Sequence, residues 1–62
     1  MSDLILQTVW RAGSYACELV LSHGTLRVLL WRGSRLVLAE AVDTYEGALD
    51  LARELRASYS LA

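Results

Sequence analysis

Three glycine-bearing dipeptides, Ala12-Gly13, His23-Gly24 and Gly33-Ser34, cut the front of this chain into apolar stretches of nearly equal length. Such dipeptides make tight two-residue turns between strands, and no proline interrupts the stretches between them. The spacing predicts four strands, over about 4–11, 14–22, 25–32 and 35–42. Short strands joined in this way form an antiparallel meander. Beyond the fourth strand the period changes. Ala48, Leu51, Ala52, Leu55 and Tyr59 recur at helical spacing, with Tyr45 and Leu49 on the flank. A helix is expected over about 44–58, capped by Asp43 or Thr44. With Asp43 as the cap, Glu46 occupies the third helical position, a variant of the capping box. Gly47, inside the second turn, reads as a place for close approach to the sheet. The fold class is α+β, one ββββα domain over 1–62 with the helix packed on one sheet face.

The turns also fix a register, because the residues flanking a two-residue turn pair and every later pair follows. The third hairpin is expected to pair Arg32 with Arg35, Leu30 with Val37, Val28 with Ala39 and Leu26 with Ala41. The second pairs Leu21 with Leu26, Leu19 with Val28, Cys17 with Leu30 and Tyr15 with Arg32. The first pairs Trp10 with Tyr15, Thr8 with Cys17, Leu6 with Leu19 and Leu4 with Leu21. One face then collects almost wholly apolar side chains. The other is mixed: Ile5, Gln7, Val9, Arg11, Ala16, Glu18, Val20, Thr25, Arg27, Leu29, Trp31, Leu36, Leu38 and Glu40. On it Arg27 is expected opposite Glu40 and diagonal to Glu18, a cross-strand arrangement of opposite charges.

Size sets the next constraint. A chain of 62 residues and 6.9 kDa buries only about 60% of the surface its unfolded form exposes. Small domains add a disulfide, a metal or a partner chain. One cysteine, Cys17, makes no internal disulfide, and with one histidine, His23, it does not complete a four-ligand zinc site. Oligomerisation remains, and the 55% hydrophobic share points the same way while excluding disorder. One helix is about 10–12 Å wide with its side chains, while four strands span about 14 Å between their outer axes, and more with side chains. Trp10, Tyr15 and part of the first strand are therefore expected to stay uncovered, as are the apolar residues of the mixed face. Exposed apolar area of that extent marks an interaction surface. The candidate interface residues are Trp31, Leu36, Leu29, Leu38, Val9, Trp10, Tyr15 and Tyr59, with Leu61 also beyond the helix packing.

Chemistry-bearing residues are sparse. His23 reads as a turn residue, since histidine tolerates unusual backbone angles. Cys17 reads as a small buried hydrophobe. Glu18 and Glu40 with Arg27 between them read as a charge ladder, both acids ionised, rather than an acid–base pair. No phosphate-binding glycine loop, metal cluster or nucleophile motif is present, so no catalytic, cofactor or metal role is assigned. The formal net charge is −1, and all six basic residues are arginine. No apolar run approaches the roughly 18 residues a membrane span needs. The N-terminus lacks a signal peptide's positive region, and a lone free cysteine fits a reducing cytosol, so a cytoplasmic location is expected.

The ββββα order is similar to that of Whirly-type and PUR-type modules, which dimerise and bind single strands on their sheets. The likeness is one of topology and carries over no residue. The sequence therefore supports a small non-enzymatic interaction domain acting as a homodimer or higher homo-oligomer. One alternative is a single-stranded nucleic-acid module using Arg11, Arg27 and Trp31, where an aromatic surface and arginines supply stacking and phosphate contacts. The other is an accessory or inhibitor protein that offers an open edge strand or its helix to a larger protein partner.

Overall fold

Apolar runs with β-branched residues between glycine turns become strands, and the helical period after Thr44 becomes a helix. The computed structural model describes residues 4–59. It contains β1 (Leu4–Ala12), β2 (Tyr15–Ser22), β3 (Thr25–Arg32), β4 (Arg35–Val42) and α1 (Tyr45–Tyr59). The strands form one antiparallel sheet in the order β1-β2-β3-β4, and the helix lies across one face of it. The protein is thus an α+β, ββββα fold. Leu61 lies outside the described residues.

The turns differ in kind. His23 and Gly24 both have positive φ, 53° and 77°, which is the type I′ pattern suited to the right-handed twist of the flanking strands. Gly13 and Gly33 have φ of 60° and 62° and are followed by serines without positive φ, the glycine-first pattern of type II′ turns. The first turn is therefore Gly13-Ser14 and not Ala12-Gly13. The Gly33 N–H donates to the Ser14 carbonyl over 2.8 Å, tying the first and third turns together at one end of the sheet.

The β2–β3 ladder runs unbroken with the expected pairs, from Tyr15 opposite Arg32 to Leu21 opposite Leu26. Both outer ladders depart from expectation through bulges, where one extra residue on a strand resets every later pair. Val37 is the extra residue of β4: Trp31 faces Leu36, but Leu30 faces Leu38, Val28 faces Glu40 and Leu26 faces Val42. Leu38 and Val42 therefore join the helix-bearing face, and Ala39 and Ala41 turn to the outer face. Arg27 consequently faces Ala41, not Glu40. In β1 the shifted turn sets Ala12 opposite Tyr15 and Trp10 opposite Cys17, and irregularities at Val9 and Leu6 then bring Leu4 back opposite Leu21. Thr8, opposite Glu18, lies on the outer face, and Gln7, opposite Leu19, lies on the helix side.

The helix starts on Thr44, whose Oγ1 accepts the Gly47 N–H at 2.9 Å and whose carbonyl accepts the Ala48 N–H at 3.0 Å. Thr44, not Asp43, is the cap. A Cβ at position 47 would sit 3.1 Å from that Oγ1 and within 4 Å of no other atom outside its immediate surroundings. Gly47 thus makes room for the cap and not for the sheet. Ala48, Ala52 and Leu55 form the buried stripe, over Trp10, Cys17, Leu19, Val28 and Leu30.

Trp10 is the largest departure from expectation. It is 7% exposed, and its indole N–H donates to the Ala52 carbonyl over 2.7 Å. The small side chains of Ala48 and Ala52 let the helix approach the ring, and pairing with Cys17 moves Trp10 inward from the turn. Replacing Trp10 with Phe removes this donor, and chemical denaturation is expected to show a loss of about 1–2 kcal/mol with the circular dichroism of the fold retained.

Candidate functional site

The helix closes the middle of its own face and leaves Leu4 exposed at the β1 edge, while the outer face carries no helix of the described residues. Alternation along β2 and β3 places Ala16, Glu18 and Val20 beside Arg27, Leu29 and Trp31 there. Trp31 is half-buried, and its indole N–H donates to Glu18 Oε1 over 3.0 Å, which holds the ring against the strands. Leu36, directly opposite Trp31, is 47% exposed. Leu29 is half-buried between Glu18 on one side and Ala39 on the other. Ile5 extends the apolar area at the β1 edge and is 59% exposed. Val20 is almost fully buried on this face, with no helix above it.

Of the candidate interface residues, Trp31, Leu36 and Leu29 are brought together on the outer face. The remaining five lie apart from them, on or beside the core of a single copy. Trp10 is buried, and Val9, Leu38, Tyr15 and Tyr59 pack against the core. For Val9 and Leu38 the cause is the bulge beside each, which turns them toward the helix. Tyr15 and Tyr59 close the end of the core with their rings 5.4 Å apart and tilted by 54°, and the Arg32 guanidinium lies 5.9 Å from the Tyr15 ring centre. The expectation of an uncovered Trp10 is therefore corrected; Tyr15 is half-buried, and the start of the first strand is uncovered as expected, with Leu4 58% and Leu6 43% exposed. Val20, Ala39 and Ala41 belong to the site but were not singled out. Val20 was on the expected face, and its central position was the available signal. The alanines depend on the bulge, which the sequence pattern does not mark.

Arg11 and Arg27 also reach the outer face. Arg11 and Trp31 flank Ala16 from opposite sides, while Arg27 stands opposite Val20. Glu18 sits between the two arginines, so the face is not uniformly basic. Glu40 has left it for the helix side.

The other candidates have settled places. His23 is exposed in its turn. Cys17 is fully buried; burial, and secondarily the Glu18 charge, push its thiol from 9.0 up to about 11. A shallow groove of about 230 Å³ between β1 and α1 is lined by Val9, Trp10, Leu49, Arg53 and Arg56, and Arg53 there is paired with Asp50 at 3.3 Å. Among the described residues no group of three or more His, Cys, Asp or Glu stands where a metal ion would be held. No helix among them is long and apolar enough to cross a membrane.

Comparison with models of protein families, with curated proteins and with solved structures finds no match to this chain.

The buried thiol gives a direct check of the core. Cys17 is expected to resist alkylation by iodoacetamide at pH 8 in the folded protein and to react promptly in denaturant. Because folding raises this pKa, its contribution to stability is full below pH 9.0 and is lost as pH rises toward about 11.

Proposed function

We propose that this protein is a non-catalytic interaction module that works as a homodimer, two copies meeting through the outer faces of their sheets. The observation that carries this reading is the apolar surface of that face, Leu29, Trp31 and Leu36 with Ala39 and Ala41 around the already buried Val20, over which no helix of the described residues lies. Helix and sheet make a two-layer slab. A second copy applied to the open face gives four layers, with the sheets in the middle and a helix on each outside.

Size supports the same reading. The slab measures 34 × 24 × 15 Å, so its broad face is wide enough to seat a second copy of the same outline. Tryptophan is the residue type most enriched among binding hot spots, particularly near the centre of a patch. The core of one copy is small, with eight buried residues in its cluster among those described, so burying further apolar area is a gain that a domain of this length needs. The edges offer less. β1 is irregular at Leu6 and Val9, and β4 bulges at Val37. Bulges of this kind twist an edge away from strand addition. That favours the face over an edge offered to a larger partner.

Arg11, Arg27 and Trp31 share the face, as a single-stranded nucleic-acid site requires. Glu18 lies at its centre, bonded to the same tryptophan, and opposes phosphate. A nucleic-acid complex is therefore the competing outcome and not the preferred one.

Sedimentation equilibrium at micromolar concentration is expected to give twice the 6.9 kDa chain mass. Trp31→Ala and Leu36→Asp are expected to return the protein to one copy while circular dichroism stays unchanged, since Leu36 is already 47% exposed in a single copy. A folded wild-type monomer, with salt-sensitive quenching of Trp31 by oligonucleotides, would overturn the dimer in favour of the nucleic-acid reading.

A further inference from the structure

The charges on the outer face are few, and their placement goes further than the apolar area does. Three charged residues lie there among the described strands: Arg11, Glu18 and Arg27. Arg27 lost its expected partner when the Val37 bulge moved Glu40 to the other side, and it now faces Val20 and Ala41. It is exposed and makes no ion pair with a described residue. Glu18 is half-buried. Its Oε1 accepts the Trp31 indole N–H at 3.0 Å, and its Oε2 makes no hydrogen bond to a described residue.

These two residues stand in a particular relation. Glu18 faces Leu29 and Arg27 faces Val20 in the unbroken β2–β3 ladder. The four form one cross-strand square, with Glu18 and Arg27 on one diagonal and Val20 and Leu29 on the other. Diagonal neighbours of this kind are about 7–8 Å apart, and within one copy the charges do not close that gap. A two-fold axis lying between two such faces, near the Val20–Leu29 diagonal, exchanges the acid and base positions. It sets each Glu18 over the other copy's Arg27 and brings Val20 and Leu29 onto their own counterparts at the centre.

We infer that the second copy is held by two symmetric Glu18–Arg27 ion pairs, each formed between chains. The inference rests on the face-to-face reading above. Any cover over Trp31 also covers the carboxylate bonded to it, and a carboxylate taken out of water without a cation is strongly unfavourable. A second copy brings the required guanidinium at the required place. It also gives Arg27 an ion-pair partner that the described residues of its own chain do not. An isologous contact demands this self-complementarity, residue i meeting j and j meeting i.

The test is complementation in trans. Glu18→Arg and Arg27→Glu are each expected to weaken self-association by at least about tenfold at low salt. Mixed in equal amounts, the two variants are expected to form a heterodimer, because each then offers the charge the other needs. Glu18→Gln guards against misfolding: it keeps an oxygen for the Trp31 N–H and removes only the charge. It is expected to weaken the dimer with circular dichroism unchanged. If wild type dimerises and Trp31→Ala breaks the dimer, but Glu18→Gln has no effect or the two charge variants fail to pair, the ion pair is overturned and the face stands. If wild type stays monomeric, both the face and the ion pair are overturned.

Discussion

One helix has two sheet faces to choose between, and it closes the middle of one of them by gripping Trp10, leaving Leu4 at the β1 edge of that face 58% exposed. The indole fills the space under Ala48 and Ala52, and its N–H meets the Ala52 carbonyl at 2.7 Å. A buried tryptophan needs such a partner for its one donor. A helix residue larger than alanine at either position would hold the helix off the ring. The central strands contribute Cys17, Leu19, Val28 and Leu30 beneath the same stripe. With the one helix of the described residues spent in this way, the exposed apolar residues of the opposite face must find their cover elsewhere or meet water.

The element order, the three-turn layout and the whole β2–β3 ladder were legible in the sequence. His23-Gly24 is nearly unambiguous because both of its residues suit positive φ. The outer ladders were not legible. A bulge is an added residue that looks like its neighbours: Val37 stands in the run Leu36-Val37-Leu38, and nothing in that run marks which residue is extra. Gly13 was equally suited to either place in its turn, and the difference of one position decided where Trp10 lies. The functional reading inherits this pattern. Trp31, Leu29 and Leu36 lie on the central ladder or before the β4 bulge, and their side of the sheet was read correctly. Val9 and Leu38, at or beyond bulges, were read onto the wrong side.

The same irregularities sort the charges. Regular pairing of β3 with β4 would have matched Arg27 with Glu40 and left the outer face locally neutral. The extra Val37 sends Glu40 to the helix side, where it stays exposed, and a charge on an edge strand discourages strand addition. It leaves Arg27 beside two apolar neighbours. Thus one inserted residue defends an edge and creates an unmet charge on the face beside it. The edge of β1, twice interrupted, is defended by the same means.

The two central strands carry a double load that the periphery does not. Along β2, Cys17 and Leu19 are sealed beneath the helix while Val20, the very next residue, is sealed on the opposite side. A substitution in this strand is therefore judged by two environments within the space of a dipeptide. The bulged outer strands and the wet side of the helix answer to at most one. Mutational drift in this molecule is accordingly channelled toward its borders, and its two middle ribbons form the part least free to change.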